Sequence, residues 1–359
     1  MGVFKDILGS EESLFSNQEV LDYNYMPKLI PFREMEQKTV ARLMSPLFDN
    51  KMGKNGFVYG SPGVGKTIAI KSILTELEET SDIYQIYINC WKANTTYQII
   101  SEICHQIGYD LTLNKTRDEL MVVVKNVLVK NKRPAVFVFD EADKLNDYEF
   151  LYLLLEELPL KSIILVTNYK SLLDDLDERV VSRLVPEVIK FREYTQYEIG
   201  EILKERMKYA FVSNVFDENA LKMVSKKAFE LKDVRTGLFL LRESGNTAES
   251  RSSRKITEDD VKNSIKKFDD FSFKSKQDFD DEDKSIINII KNNSGKKMGD
   301  LYTVYSKNKE RSISYKMFVK KVTFLNESGY ITTKRSKGGK DGNTTFVEYT
   351  MDKKLSDFV

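Results

Sequence analysis

"GSPGVGKT", residues 60–67, fits the spacing G-x-x-x-x-G-K-[ST] in full, with Gly60, Gly65, Lys66 and Thr67 on its fixed positions. Its flanks supply the context such a loop needs. "GFVYG" ahead of it reads as a short apolar strand, and "TIAIKSILTELEE" after it reads as a helix with apolar residues at 68, 70, 73, 74 and 77. In a strand–loop–helix of this kind, backbone N–H groups and the positive end of the helix dipole face a phosphate chain. The expected nucleotide cradle is Gly60, Ser61, Pro62, Gly63, Val64, Gly65, Lys66, Thr67 and Ile68. The nucleotide expected is ATP or ADP, with Lys66 reaching the β-phosphate and, in ATP, the γ-phosphate, and Thr67 offering its hydroxyl to Mg²⁺.

The partner of that metal has to be an acid at the end of a nearby strand. "AVFVFDEAD" (135–143) is an apolar run ending in carboxylates, as a buried parallel strand would be. Asp140 is the expected Mg²⁺ partner, and Glu141 is placed to polarise an attacking water. A further apolar run, "KSIILVTN" (161–168), ends in Asn168 at the carboxyl end of a central strand, where open α/β sheets bind ligand. Asn168 could hold the water between Glu141 and the γ-phosphate, or cap a turn. Helical stretches such as "RDELMVVVKNVLVKN" between these runs complete a βαβ alternation, which predicts a doubly wound parallel α/β core. Residues 140–143 spell "DEAD", but a helicase of that name needs a second lobe of similar size, and after residue 193 the chain turns helical and then basic.

Charge divides the chain. Residues 281–359 hold 16 Lys+Arg against 10 Asp+Glu, a net +6, and the preceding 280 residues hold 40 against 45, a net −5. The sign changes at "KFDDFSFKSKQDFDDEDK" (267–284), which reads as a linker. Beyond it, "DEDKSIINIIKNN", "MGDLYTVYSKNKE" and "SISYKMFVKKVTFLNESG" give three amphipathic helices, the third with Phe318, Val322 and Leu325 inward and Gly329 at its end. "YITTKR", a Gly-rich tip and "TTFVEYTM" then give a β-hairpin, so the tail is expected to be a winged helix. Its third helix is expected in a DNA major groove, presenting Lys316, Lys320 and Lys321, with the wing adding Lys334, Arg335, Lys337 and Lys340.

Composition excludes other classes. No run approaches the roughly 18 apolar residues of a membrane span. The N-terminus lacks the basic-then-apolar pattern of a secretory signal, so a cytoplasmic, nucleoid-associated protein with no membrane partner is expected. Two cysteines, Cys90 and Cys104, with the lone His105, are too few and wrongly spaced for a zinc site, and ordinary packing is expected of them.

The ordered set of motifs resembles a family. "DERVVSRL" (177–184) followed by "FREYTQYEIGEILKERMKYAF" is similar to the end of an AAA+ core entering its helical lid, and "KDVRTGLFLLRESGNTAE" (232–249) to that lid's second-sensor helix. With "IPFREMEQKTVARLMSPLF" (30–48) and "YINCWKANTTYQIISEICHQIG" (87–108), the chain resembles the archaeal AAA+ replication initiators, relatives of the origin recognition complex and of its licensing ATPase. The resemblance spans residues of about 25 to 350. It implies that Arg235 reaches the γ-phosphate from the lid, although the family's Gly-Asp-Ala-Arg is Lys-Asp-Val-Arg here. It implies that Arg183, and less directly Arg179, point into a neighbouring subunit's site, and that Pro31 and Arg33 close around adenine. A DNA-touching insertion is implied within 91–120, where Trp91 could equally anchor the core.

The expected organisation is therefore an N-terminal segment and AAA+ core over 1–193, a lid over 194–268, a linker over 269–282 and a winged helix over 283–359. The function expected is that of a slow, ATP-switched initiator that binds double-stranded origin DNA and recruits or loads the replicative helicase, with a second initiator copy or paralogue as partner. Alternatives are a helper ATPase of transposition, a clamp-loader-like protein, or a signalling ATPase whose winged helix binds protein.

Overall fold

The computed structural model describes residues 13–23, 25–27, 29–277, 281–307, 313–327, 331–336 and 344–349. The chain divides into two compact units, Met1–Ile265 and Lys266–Val359.

The first unit begins with α1 (Glu34–Met44) and alternates β1 (Gly56–Tyr59), α2 (Lys66–Thr80), β2 (Tyr84–Asn89), α3 (Thr96–Gln106), α4 (Arg117–Leu128), β3 (Ala135–Asp140), α5 (Glu149–Glu157), β4 (Lys161–Thr167), α6 (Leu172–Asp175), α7 (Glu178–Leu184) and β5 (Glu187–Lys190). The strands form one sheet in the order β2-β3-β4-β1-β5, and every pair in it is parallel. Every residue of β3 and of β4 is buried, as continuous apolar runs between two helical layers must be. Side chains alternate between the layers. Phe57, Phe137 and Phe139 pack with residues of α3, α4 and α5. Val58, Val136 and Val138 pack with residues of α1 and α2. The doubly wound sheet expected from the sequence is the one observed. Its carboxyl ends gather the glycine loop after β1, Asp140 after β3 and Asn168 after β4 at one edge.

Four helices follow: α8 (Gln196–Ala210), α9 (Glu218–Glu230), α10 (Val234–Ser250) and α11 (Glu258–Gln277). Helix α8 starts with a capping box, Thr195 and Glu198 each satisfying the other's backbone N–H. Arg192 adds two bonds to Glu198, at 2.7 and 2.5 Å. Hydrogen bonding to Arg192 first, and to Thr195, holds the Glu198 carboxyl at about 2, below its ordinary 4.5. A depressed carboxyl contributes stability that is present above the ordinary value and is lost as pH falls through the folded one. Thermal unfolding measured from pH 5 to pH 2 should therefore show a shallower acid fall for Glu198→Gln than for the native chain.

An N-terminal strap joins these helices. Phe15 bridges Phe211 in antiparallel fashion, their rings stacked at 4.7 Å. Arg206, buried on α8, donates to Val20 O at 3.1 Å.

The second unit contains α12 (Asp281–Asn292), β6 (Lys296–Lys297), α13 (Met298–Lys307), α14 (Tyr315–Glu327), β7 (Ile331–Ser336) and β8 (Thr344–Tyr349). Its core is Ile286, Ile290, Met298, Leu301, Tyr305, Phe318, Val322, Leu325, Ile331 and Val347. That includes the inward residues expected of the third helix. Strands β7 and β8 form the expected hairpin, and β6 adds a short third strand on β8. The stretch 269–282 is no irregular linker in the described residues, because α11 continues to Gln277 and α12 begins at Asp281. Gly329, expected at the end of α14, lies outside the described residues. Among the described residues, no helix is long and apolar enough to cross a membrane.

Candidate functional site

The glycine loop packs too closely on its surroundings for side chains. A Cβ on Gly60 would lie 2.4 Å from Phe191 O, nearer than any real contact. Gly63 combines φ +77° with a place against the Asp233 side chain, where a Cβ would meet Oδ1 at 2.2 Å. This brings the start of α10 onto the loop. Helix α2 begins at Lys66, so the first-turn N–H groups of a 15-residue helix open toward the loop.

Lys66 is buried and its Nζ donates to Gly60 O at 2.7 Å, Ser61 O at 3.0 Å and Asn168 Oδ1 at 2.9 Å. Burial lowers its pKa, opposed by Glu141 and Asp140. The other end of the Asn168 amide donates to Glu141 Oε2 at 2.8 Å. Lysine, amide and carboxylate thus form one chain across the ends of β1, β4 and β3. Burial, followed by the neighbouring Asp140 and Asp143 charges, raises the Glu141 pKa. Glu141 also occupies the left-handed region, at φ 55° and ψ 45°, which costs a residue with a Cβ about 1 kcal/mol. That strain turns its side chain out of the strand direction and toward Asn168.

Asp140 is 2% exposed. Its Oδ2 accepts from Thr67 Oγ1 at 2.7 Å and from Tyr87 OH at 2.6 Å, and its Oδ1 accepts the Glu141 N–H at 2.9 Å. The Thr67 hydroxyl and the Asp140 carboxylate are hard oxygen donors side by side at a helix N-terminus. That donor set fits a Mg²⁺ ion that keeps most of its waters and takes other oxygens from a phosphate chain. Among the described residues, no cluster of three or more His, Cys, Asp or Glu is arranged to hold a metal by itself. Cys90 and Cys104 are both buried free thiols, as packing predicts.

The remaining expected residues divide. Arg235 lies near this cluster, since its charge acts on Lys66, but its guanidinium is paired with Asp233 at 3.0 Å. Arg183 pairs with Glu156 at 2.8 Å and Arg179 with Asp177 at 2.9 Å. Both lie on or beside α7, and the structure does not bring them to this pocket. Pro31 is a half-buried turn residue. Arg33 is the clear departure: it is fully buried and its guanidinium is spent on Val64 O, Glu36 and Arg192 O, so it does not present itself to a base. Trp91 is no core anchor, being 64% exposed beneath Lys144 Nζ, 4.8 Å from the ring centre.

Two residues of the site were not anticipated. Tyr87 holds Asp140 from the neighbouring strand, and Asp143 Oδ1 accepts from Thr167 Oγ1 at 3.0 Å. The third carboxylate of "DEAD" was a visible signal for Asp143. Tyr87 had only its alternation on β2.

In the second unit, Lys316 and Lys320 are exposed on α14. Lys321 is not on that face. Its Nζ is 2.8 Å from Asp283 Oδ1 of α12, with the two side chains 19% and 7% exposed. Position 321 falls between Phe318 and Leu325 on the inward stripe (i, i+3, i+7), so the ion pair closes the helix packing. Lys334 and Arg335 lie on β7 opposite Phe346 and Thr345. Lys337 and Lys340 lie outside the described residues.

Comparison with known proteins adds the following. Residues 50–174 match the AAA domain family, and residues 200–266 match the Cdc6 AAA+ ATPase-type lid domain. The chain is 30% identical over 326 residues to ORC1-type DNA replication protein 1 of Archaeoglobus fulgidus, covering 86% of this chain and 80% of that one. It is 33% identical over 278 residues to the ORC1-type DNA replication protein of Pyrococcus horikoshii, covering 72% of this chain and 66% of that one. Among solved structures, the Aeropyrum pernix ORC1 protein in complex with DNA superposes with a TM-score of 0.72 at 23% identity, over 95% of this chain and 94% of that one. Drosophila ORC bound to DNA gives 0.58 at 16% identity, over 93% and 88%. At such identities the likeness establishes the fold: an AAA+ core with a helical lid, followed by a winged helix.

Proposed function

The chain belongs to the family of ORC1-type DNA replication proteins, and from that premise we propose that it initiates replication by binding double-stranded DNA at an origin, under the control of a nucleotide held at residues 60–68. Lys66 and the loop N–H groups hold the β- and γ-phosphates of ATP, or the β-phosphate of ADP. Thr67 and Asp140 hold Mg²⁺, which supplies charge neutralisation of the phosphates. Glu141, kept in place by Asn168, takes the proton of an attacking water, and Asn168 positions that water. Arg235 leaves Asp233 for the γ-phosphate and so ties the lid to the nucleotide. Arg183, with Arg179, serves the site of an adjoining copy or paralogue. Hydrolysis is slow and serves as a switch, and recruitment of the replicative helicase follows from the family. The domain boundaries proposed are 1–193, 194–268 and 283–359.

The observation that carries this reading is the continuous chain Lys66–Asn168–Glu141 beside Thr67–Asp140. It supports the reading because an ammonium, a carboxylate and a second, hydroxyl-bonded carboxylate meet at the carboxyl ends of three adjacent strands. DNA is gripped by the exposed face of α14, through Lys316 and Lys320, and by Lys334 and Arg335 of β7, with Lys337 and Lys340, which lie outside the described residues, adding to that grip.

Binding to an origin-like duplex, measured by anisotropy over a range of salt with Mg-ATP present, tests the proposal. Affinity should fall with a log–log slope of about −0.9 per phosphate contacted. Replacing both Lys316 and Lys320 by Ala should make that slope shallower by about 2, with equal losses on all sequences. A chain that ignores duplexes even in dilute buffer is not an initiator.

A further inference from the structure

Arg33 was expected beside a base and is instead the largest fully buried side chain of the described residues. Its charge is balanced by Glu36 at 2.9 Å. The two remaining arms of the guanidinium go to different parts of the molecule. Nε donates to Val64 O, within the glycine loop, at 3.0 Å. Nη2 donates to Arg192 O, in the connection from β5 to α8, at 2.5 Å. The guanidinium Cζ lies over the Tyr194 ring, 3.8 Å from its centre, and 5.5 Å from the centre of the Phe191 ring.

The same connection touches the loop at other points. Phe191 N donates to Tyr59 O at 2.8 Å, and Phe191 O crowds Gly60. The Tyr194 hydroxyl stands 3.0 Å from where a Cβ on Gly65 would be. Glu193 accepts from Ser61 at 3.1 Å and pairs with Lys232, just ahead of α10, at 2.9 Å. Those contacts are packing, exposed pairs and one backbone hydrogen bond that continues the β1–β5 pairing. Among the described residues, Arg33 alone bonds a loop carbonyl and a connection carbonyl with one rigid group.

We infer that Arg33 is a positioning residue that couples the glycine loop to the entry of the lid, so that filling the loop with phosphates alters the set of α8 through residues 192–194. Burying a cation is costly, and an apolar residue would fill the same space without that cost. What a guanidinium adds is a planar fork that serves several acceptors in fixed directions, which an ammonium cannot do. A shift of the Val64 carbonyl toward or away from a bound phosphate moves the fork, and the fork carries Arg192 O and the Tyr194 ring with it. This coupling rests on the proposed reading that nucleotide occupies the loop.

The test is hydrogen–deuterium exchange of the full chain, with and without Mg²⁺ and a non-hydrolysable ATP analogue, read at residues 190–196 and along α8. Nucleotide affinity is measured alongside. The native chain should bind the analogue and change its protection at 190–196. Arg33→Lys should still bind the analogue and lose that change. Glu36→Gln, which leaves the fork and both carbonyl contacts in place, should keep it. If Arg33→Lys binds nucleotide and responds at 190–196 as the native chain does, the inference is overturned while the site assignment stands. If Glu36→Gln loses the response as fully as Arg33→Lys, charge balance is the cause and the bridging role is overturned. A native chain that binds no nucleotide overturns the site assignment, and the coupling with it. Should Arg33→Lys fail to fold, Tyr194→Leu removes the ring the guanidinium stacks on and is read by the same outcomes.

Discussion

Glu141→Gln should leave ATP bound and stop its turnover, lowering hydrolysis by about 10²- to 10⁴-fold, the usual worth of a positioned general base. The geometry makes this substitution clean. Glutamine keeps the shape of the side chain, and its Oε1 can still accept from the Asn168 amide N–H, which donates to Glu141 Oε2 at 2.8 Å in the native chain. The left-handed backbone at position 141 is unaltered, so the strained turn that aims the side chain persists. Lys66 and Thr67 are untouched, so affinity for the triphosphate is expected to hold within a few-fold. Filter-bound radiolabelled ATP and released phosphate, measured in one sample, check both halves. Undiminished phosphate release would remove Glu141 from the chemistry.

Lys66→Ala should cost at least about 100-fold in nucleotide affinity, from the loss of hydrogen bonds to charged oxygens at roughly 1.5–3 kcal/mol each. A second effect acts in the same direction. The ammonium group also binds Gly60 O and Ser61 O, so its removal leaves two loop carbonyls without that partner. Titration with a fluorescent ATP analogue gives the affinity, and a thermal melt of the nucleotide-free chain gives the cost to the loop itself. Native-like affinity in the variant would mean that nucleotide is held elsewhere.

The elements of this site differ in how far the sequence disclosed them. Lys66, Thr67, Asp140 and Glu141 sit in local patterns, a glycine loop and an apolar strand ending in acids. Each pattern is fixed by a single strand or turn, and all four were legible. Asn168 was legible because a strand's carboxyl end is a position that can be named without knowing the neighbours. Tyr87 was not, because its hydroxyl crosses to the adjacent strand, and strand order is absent from spacing. Arg33 was placed near the right element with the wrong task. Its position in the chain put it near the loop, but a buried fork shared among Val64, Glu36 and Arg192 depends on contacts 31 and 159 residues away.

The second unit gives the same lesson in two parts. Its inward stripes were correct, because helical period and burial are one signal. Lys321 was misjudged, since residue type outweighed the stripe it stands on. The segment 269–282 was read as a linker from its Asp and Lys content, yet such residues are compatible with a helix, and α11 runs on to Gln277.

Trp91 is the chain's sole tryptophan. It stands exposed under Lys144, which follows the Asp140–Asp143 turn directly. Unlabelled protein therefore carries one indole chromophore at the rim of the acidic turn, and red-edge excitation selects it over the 18 tyrosines. Its colour and brightness depend on the cation above it, so ordinary intrinsic fluorescence becomes a stopped-flow clock for events at that turn.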